Sequence, residues 1–324
     1  MNNFLDTILT PFTYVVSWVL WAFHELFTTI GMNADSGVTW TLSIIFLVLL
    51  IRTLLIPVFV KQIKSQRAMQ ALQPDLRKLQ AKYKGKTDQM SRQAMVQEQQ
   101  ALFKKHKTNP LSSCLPLLVQ MPFFFALFRV LNEASRASDD GRSIGALSAE
   151  HIRSFDQSSI LGAPLSETFL GTINSGAVNW AVIIVAVVMI LAMTASQFFT
   201  QRQLMTKNMS QEALQGPFMQ QQKMMLYILP LVFGIGGINF PIGVLIYWTA
   251  SNLWTLGQQF WVIRNNPTPG SEAERELNAR RAAKGLPPVG MKKEDADAAA
   301  AAAAEQQAKG QRQQPQRKNR RKKK

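Results

Sequence analysis

Residues Val38 to Val60 read VTWTLSIIFLVLLIRTLLIPVFV, a run of 23 residues with one charge, Arg52. A helix rises about 1.5 Å per residue, so this run covers the roughly 30 Å of a bilayer's hydrocarbon. Three more apolar stretches extend the pattern. Leu111 to Leu131 is charged only at Arg129, and Asn179 to Thr200 carries no charge. Met224 to Ile263 is too long for one crossing and is interrupted by Gly236-Gly237-Ile238-Asn239-Phe240-Pro241, a turn signal. The expected fold is an all-α membrane protein with five transmembrane helices, at 38–60, 111–131, 179–200, 224–238 and 242–263.

The segments around these spans complete the expected organisation. In 1–37, apolar residues from Phe4 to Ile30 recur at helical spacing, with Tyr14, Trp18 and Trp21 as aromatic anchors. This predicts an amphipathic helix lying in the membrane interface, with an additional crossing as the alternative. Residues 61–110 are rich in Gln, Lys, Ala, Met and Leu, with two apolar stripes either side of Gly85. They predict a helical hairpin. The connection 132–178 is rich in Ser, Gly and Asp and reads as loop, with short helices at most. Its Gly141-Arg142-Ser143-Ile144-Gly145 matches a nucleophile-elbow pattern without the strand and helix that pattern requires, so it is read as chance.

Charge sets the orientation. Residues 61–109 hold 12 Lys/Arg against 3 Asp/Glu, whereas 132–178 hold 3 against 6. The connection 201–223 holds 3 basic and 1 acidic residue, and 264–324 holds 16 and 7. Basic segments mark the cytoplasmic side, which puts the N-terminus outside and the C-terminus inside. The tail 264–324 combines Pro-Gly turns, an Ala run and a basic end, and reads as disordered. Arg317, Lys318, Arg320, Arg321, Lys322, Lys323 and Lys324 in that end suit a polyanionic partner, ribosomal RNA or anionic lipid.

Composition excludes several classes. Of 324 residues only one is Cys, which rules out a disulfide scaffold or a multi-thiolate metal site. His24, His106 and His151 lie far apart along the chain, and no metal or cofactor is expected. There is no P-loop and no nucleophile–base pair, so the chain is not read as an enzyme.

Arg52 stands out energetically. It lies nine residues before Lys61, about 13 Å from the cytoplasmic end of its helix. A central Arg costs roughly 2.5–3.5 kcal/mol, which the apolar residues of the span outweigh. None of the five spans contains Asp or Glu, so no internal salt bridge is on offer. Either the side chain snorkels to the interface or the bundle holds water around it. Gln120, Gln197, Ser251 and Asn252 are among the polar residues positioned to line such a cavity, mostly in the cytoplasmic halves of their spans.

Certain strings resemble the YidC membrane protein insertases, relatives of the mitochondrial oxidase-assembly and chloroplast Albino-type insertases. They are Ile51-Arg52 followed by Pro57, Met69-Gln70-Ala71-Leu72-Gln73-Pro74, and Asn109-Pro110-Leu111 with Cys114-Leu115-Pro116-Leu117-Leu118-Val119-Gln120-Met121-Pro122. To these add Phe240-Pro241-Ile242-Gly243 and Tyr247-Trp248-Thr249-Ala250-Ser251-Asn252-Leu253. The large outer domain of Gram-negative members is missing, which makes the chain similar to the short Gram-positive type. The resemblance implies a substrate groove open to the cytoplasm, with Arg52 as its cation and Gln120, Gln197, Tyr247, Trp248 and Asn252 along it. It implies nascent membrane proteins as clients, with the ribosome, the Sec translocon and the signal recognition machinery as partners. A small-molecule transporter and a passive membrane-anchored ribosome or assembly scaffold are the alternatives. Neither acidic residues in the spans nor internal repeats favour the first of them.

Overall fold

The computed structural model describes residues 2–106, 108, 115–209, 217–289 and 291. The basic residues Arg317 to Lys324, and Ser112, Ser113 and Cys114, lie outside the described residues. Helix α1 (Asn2–Thr29) ends on Gly31 at φ 103°. There Gly31 N–H donates to the Thr28 carbonyl and Met32 N–H to that of Phe27, both at 3.0 Å. These paired bonds satisfy the last free carbonyls and turn the chain into the next helix.

The long apolar run forms two helices where one was expected. Helix α2 (Gly37–Leu54) opens on Ser36, whose hydroxyl accepts from Val38 N–H. It breaks at Leu55, and α3 (Ile56–Ala71) follows at once. Pro57 explains the break, because it has no N–H to give to the carbonyl four residues back. As a result α3 runs past the expected boundary at residue 60 and takes up the start of the polar connection. Pro74 starts α4 (Gln73–Lys82), and Asp88 caps α5 (Gln89–Lys105). These two helices pack together. Glu98 on α5 accepts from Lys82 Nζ at 2.6 Å and from the Tyr83 hydroxyl at 2.8 Å. Those hydrogen bonds hold its carboxyl below the usual carboxylate range.

Helix α6 (Leu115–Asn132) leads into the segment expected to be loop with short helices. That segment is a packed cap. It contains α7 (Ala134–Asp139), α8 (Ala149–Gln157) and α9 (Phe169–Asn174). An antiparallel hairpin, β1 (Ser159–Ile160) with β2 (Ala163–Pro164), lies between α8 and α9. The hairpin turns on Leu161 and Gly162, both at positive φ, as a two-residue loop of this twist demands. The pattern at 141–145 forms a turn whose Gly145 packs against Ser17 of α1. The Ser17 hydroxyl there accepts from Ala146 N–H at 2.8 Å, so part of the polar face of α1 is buried under the cap.

Three long helices follow: α10 (Trp180–Lys207), α11 (Pro217–Gly237) and α12 (Ile242–Asn265). Pro241 gives α12 no side-chain cap. The cap formed by 133–178 supplies the missing acceptors, as Ile242 N–H donates to the Glu167 carbonyl and Gly243 N–H to that of Leu165. Past α12, the expected disordered tail begins with an ordered turn and α13 (Glu272–Ala282). The turn is fixed by Asn208, whose side-chain oxygen accepts from the buried Thr268 N–H, and α13 by a Lys207–Glu276 ion pair.

In the bundle α1 packs on α2 and α6, α2 on α12, and α10 on both α11 and α12. By length and composition, α2 and α10 are apolar enough to cross a membrane, and 119–132 and 226–237 are shorter apolar helices. Burial is uneven along α2, α6 and α12. It covers Gly37 to Val48 on α2, Ala126 to Leu131 on α6, and every residue from Ile242 to Tyr247 on α12. All three stretches are at the end covered by the cap, whose Ile152, Phe155 and Leu165 join the same core.

Candidate functional site

Ile44, Val48 and Arg52 recur at four-residue spacing and form one stripe on α2. The first two are buried; Arg52 is the next position, where the core stops and the chain becomes half-exposed. Tyr247 and Ser251 form the matching stripe on α12, which packs on α2. The two stripes meet at the Arg52 guanidinium, whose Nη2 donates to Ser251 Oγ at 2.5 Å. The cation also lies 5.6 Å from the centre of the Phe59 ring, one turn beyond the break at Leu55. Tyr247 lies beside Arg52, and its hydroxyl accepts from Gln120 Nε2 of α6 at 3.1 Å.

Among the described residues no carboxylate pairs with Arg52. Its Nε has no hydrogen-bond partner, and neither do Gln120 Oε1, Thr194 Oγ1 and Thr249 Oγ1, all buried atoms. A buried polar atom left unpaired costs about 1–3 kcal/mol, so the unpaired nitrogen of Arg52 and oxygen of Gln120 favour a polar occupant beside them.

Of the expected groove residues, Arg52, Gln120 and Tyr247 come together, with Ser251 completing the set. The other three lie apart. Trp248 sits in an aromatic cluster with Phe124, Phe233 and Phe240, at 4.8–5.5 Å between ring centres. Asn252 Nδ2 donates to the Met193 carbonyl on α10 at 3.5 Å. Gln197, also on α10, is half-buried and is not bonded to the Arg52 group. Sequence reading missed a cleft of about 690 Å³ that begins one turn beyond Arg52, between α3 and α12. Ile56, Val60 and Ile63 line one wall, Trp254 and Trp261 the other, and Lys64 and Arg67 also border it. Its signal was a pair of stripes, three- and four-residue spacing on α3 and a seven-residue repeat of Trp on α12.

A family model described as 60Kd inner membrane protein matches residues 31–269. A protein of Streptomyces avermitilis described as membrane protein insertase YidC is 49% identical over 277 residues. The chain belongs to the YidC insertase family. The alignment covers 83% of this chain and 62% of the Streptomyces protein. A YidC of Tropheryma whipplei is 41% identical, with 86% of this chain and 90% of that one aligned. One from Mycobacterium tuberculosis H37Rv is 34% identical over 86% and 79%. A solved structure of an active YidC insertase with its first transmembrane domain resolved aligns with 76% of this chain and 46% of its own at 23% identity. Its TM-score of 0.44 is too low to bear on the fold. These relatives are described as membrane protein insertases. Two of the strings that carry the resemblance fall at structural junctions: Ile51-Arg52 with Pro57 at the break between α2 and α3, and Phe240-Pro241-Ile242-Gly243 at the joint between α12 and the cap.

Proposed function

We propose that the chain is a membrane protein insertase of the bacterial plasma membrane, acting through a groove open to the cytoplasm. In this reading the five spans are α2 with the start of α3, α6, α10, α11 and α12. The N-terminus and the cap over α12 face outward, and the α4–α5 pair and the tail face the cytoplasm. The charge bias of the connections supports that orientation. The observation that carries the proposal is Arg52, held at the edge of the packed core by a hydroxyl and no carboxylate. A cation left without a resident counter-ion attracts a visiting one, more strongly in a low-dielectric cleft than in water. The client would be a nascent membrane segment with a short acidic flank, which must cross the hydrocarbon before its apolar part can settle in lipid. A hydrated half-groove shortens that crossing. A membrane potential positive outside then draws each carboxylate outward by up to about 2.3 kcal/mol per 100 mV. The basic tail residues would dock a ribosome, and the Sec translocon and signal recognition machinery would act beside it.

Liposomes carrying the purified protein and an in vitro translated single-span client test this. Arg52→Ala should slow insertion of a client with an acidic flank about tenfold, equivalent to about 1.4 kcal/mol. Arg52→Lys should retain most of the rate, and a client with a neutral flank should be indifferent to both. Equal rates for Arg52→Ala and wild type on the acidic client would remove the electrostatic step.

A further inference from the structure

His24 and His151 are 127 positions apart in sequence, yet the outer cap brings them together. Their rings stand edge to face at 5.7 Å, and Glu25 lies beside them. One ligand atom from each of His24, Glu25 and His151 falls within 4.8 Å of the others. His24 is 2% exposed. Its Nε2 is 2.9 Å from the Ala34 carbonyl oxygen, a group that only accepts, so the ring proton sits on Nε2. The other nitrogen, Nδ1, therefore holds a lone pair, and it is buried with no hydrogen-bond partner. A backbone carbonyl that fixes one ring nitrogen and frees the other for a ligand is the support that metal-binding histidines use.

We propose that His24, Glu25 and His151 form a site for a divalent cation, zinc by its donor set, that clamps α1 to the outer cap. Nδ1 of His24, Nε2 of His151 and a Glu25 oxygen supply three donors, and the fourth position is open to water. Tetrahedral zinc with donors at about 2.0–2.2 Å spaces them about 3.3 Å apart, so small side-chain rotations close the triad. His151 Nε2 is already 2.9 Å from Glu25 Oε1, and the cation would take the place of the shared proton. The Ser148 hydroxyl, 2.6 Å from His151 Nδ1, can accept from that nitrogen once Nε2 is a ligand. Access runs past Glu25, whose side chain is 45% exposed. The bland alternative is an ordinary His–Glu ion pair beside a stranded nitrogen.

The full-length protein, purified in detergent without a polyhistidine tag and stripped with EDTA, distinguishes the two. Titration with Co(II) should give a visible d–d band that saturates at one ion per chain and is displaced by Zn(II). Glu25→Gln and His151→Ala should each weaken Co(II) binding at least about tenfold, and His106→Ala should leave it unchanged. Zn(II) should raise the unfolding temperature of wild type and not of Glu25→Gln. Glu25 is surface-exposed, so its substitution tests the site even if His24 variants fail to fold. Absence of stoichiometric uptake, or Glu25→Gln binding as tightly as wild type, overturns the proposal. Because no readout involves insertion, the result does not depend on the groove.

Discussion

Gly37 stands where the first turn of α2 meets the outer cap, and a Cβ built on it lies 2.0 Å from the Ser159 carbonyl oxygen. That contact is backbone on backbone, so no side chain can swing away to relieve it. Gly37→Ala must push the β1–β2 hairpin off the helix, and it should lower stability by about 1–3 kcal/mol in thermal unfolding of the detergent-solubilised protein. Gly236 on α11 is the counter-example, because a Cβ there meets nothing within 4 Å. Gly236→Ala should be neutral or stabilising by up to about 1 kcal/mol through helix propensity alone. If both variants unfold like wild type, the cap is not pressed against α2 as described. Arg52 sits at the other extreme. Its cost was legible in one dimension, as the lone charge of an apolar run, but its partner was not. Ser251 follows 199 positions later, and only the register between α2 and α12 selects it from the other hydroxyls of the spans.

Apolar helices were easier to read than their joints. The apolar runs located helices α2, α6, α10, α11 and α12 to within several residues, and two of these, α2 and α10, are long and apolar enough to cross a membrane. The break at Leu55 was also written in the sequence, as Pro57, but the apolar run masked it. The outer cap was hidden for a different reason. Its Ser, Gly and Asp content signals turns, while its order comes from backbone carbonyls at Leu165 and Glu167 meeting the bare N-terminus of α12, which composition does not register. Helix α13 carried its own signature, with Ser271 as cap, Glu272 and Glu274 in the first turn and Arg280 and Arg281 in the last. Averaging over the tail from 264 to 324 concealed it. Two truncations separate its role from that of the basic end. Removing 292–324 takes away 11 Lys/Arg and 4 Asp/Glu. It should lower co-sedimentation with ribosomes at low salt and leave the unfolding temperature unchanged. Removing 264–324 also deletes the partners of Lys207 and Asn208, and should lower that temperature by several degrees. Unchanged ribosome binding by the shorter truncation would separate the basic end from that partner.

Across the whole molecule the uneven packing has a consequence for water. On α2, α6 and α12 the buried stretches gather under the cap, and beyond Val48 and Tyr247 most residues are partly or fully exposed, with Ser251, Val262 and Ile263 of α12 as the buried exceptions. The polar atoms left without partners, on Arg52, Gln120, Thr194 and Thr249, begin near that boundary. On the proposed groove reading, a bundle packed tightly at one end and loosely at the other takes up solvent from its loose side only. Two unpaired atoms, His24 Nδ1 and Thr41 Oγ1, lie at the capped end as well, but a pore would need a continuous polar path there, and the α2 stripe reads Trp40, Ile44 and Val48. The sequence holds a single cysteine, Cys114, so a cysteine-free background is one substitution away. In that background Gln120→Cys and Ser251→Cys should react with a membrane-impermeant maleimide in inside-out vesicles. Leu127→Cys and Ile44→Cys, in the buried half, should stay unlabelled from either face. Rapid labelling of Gln120→Cys in right-side-out vesicles would mean a passage through the capped end, and no labelling in either orientation would mean that Arg52 is dry. Either pattern is incompatible with a one-sided groove, whatever rate the insertion assay returns.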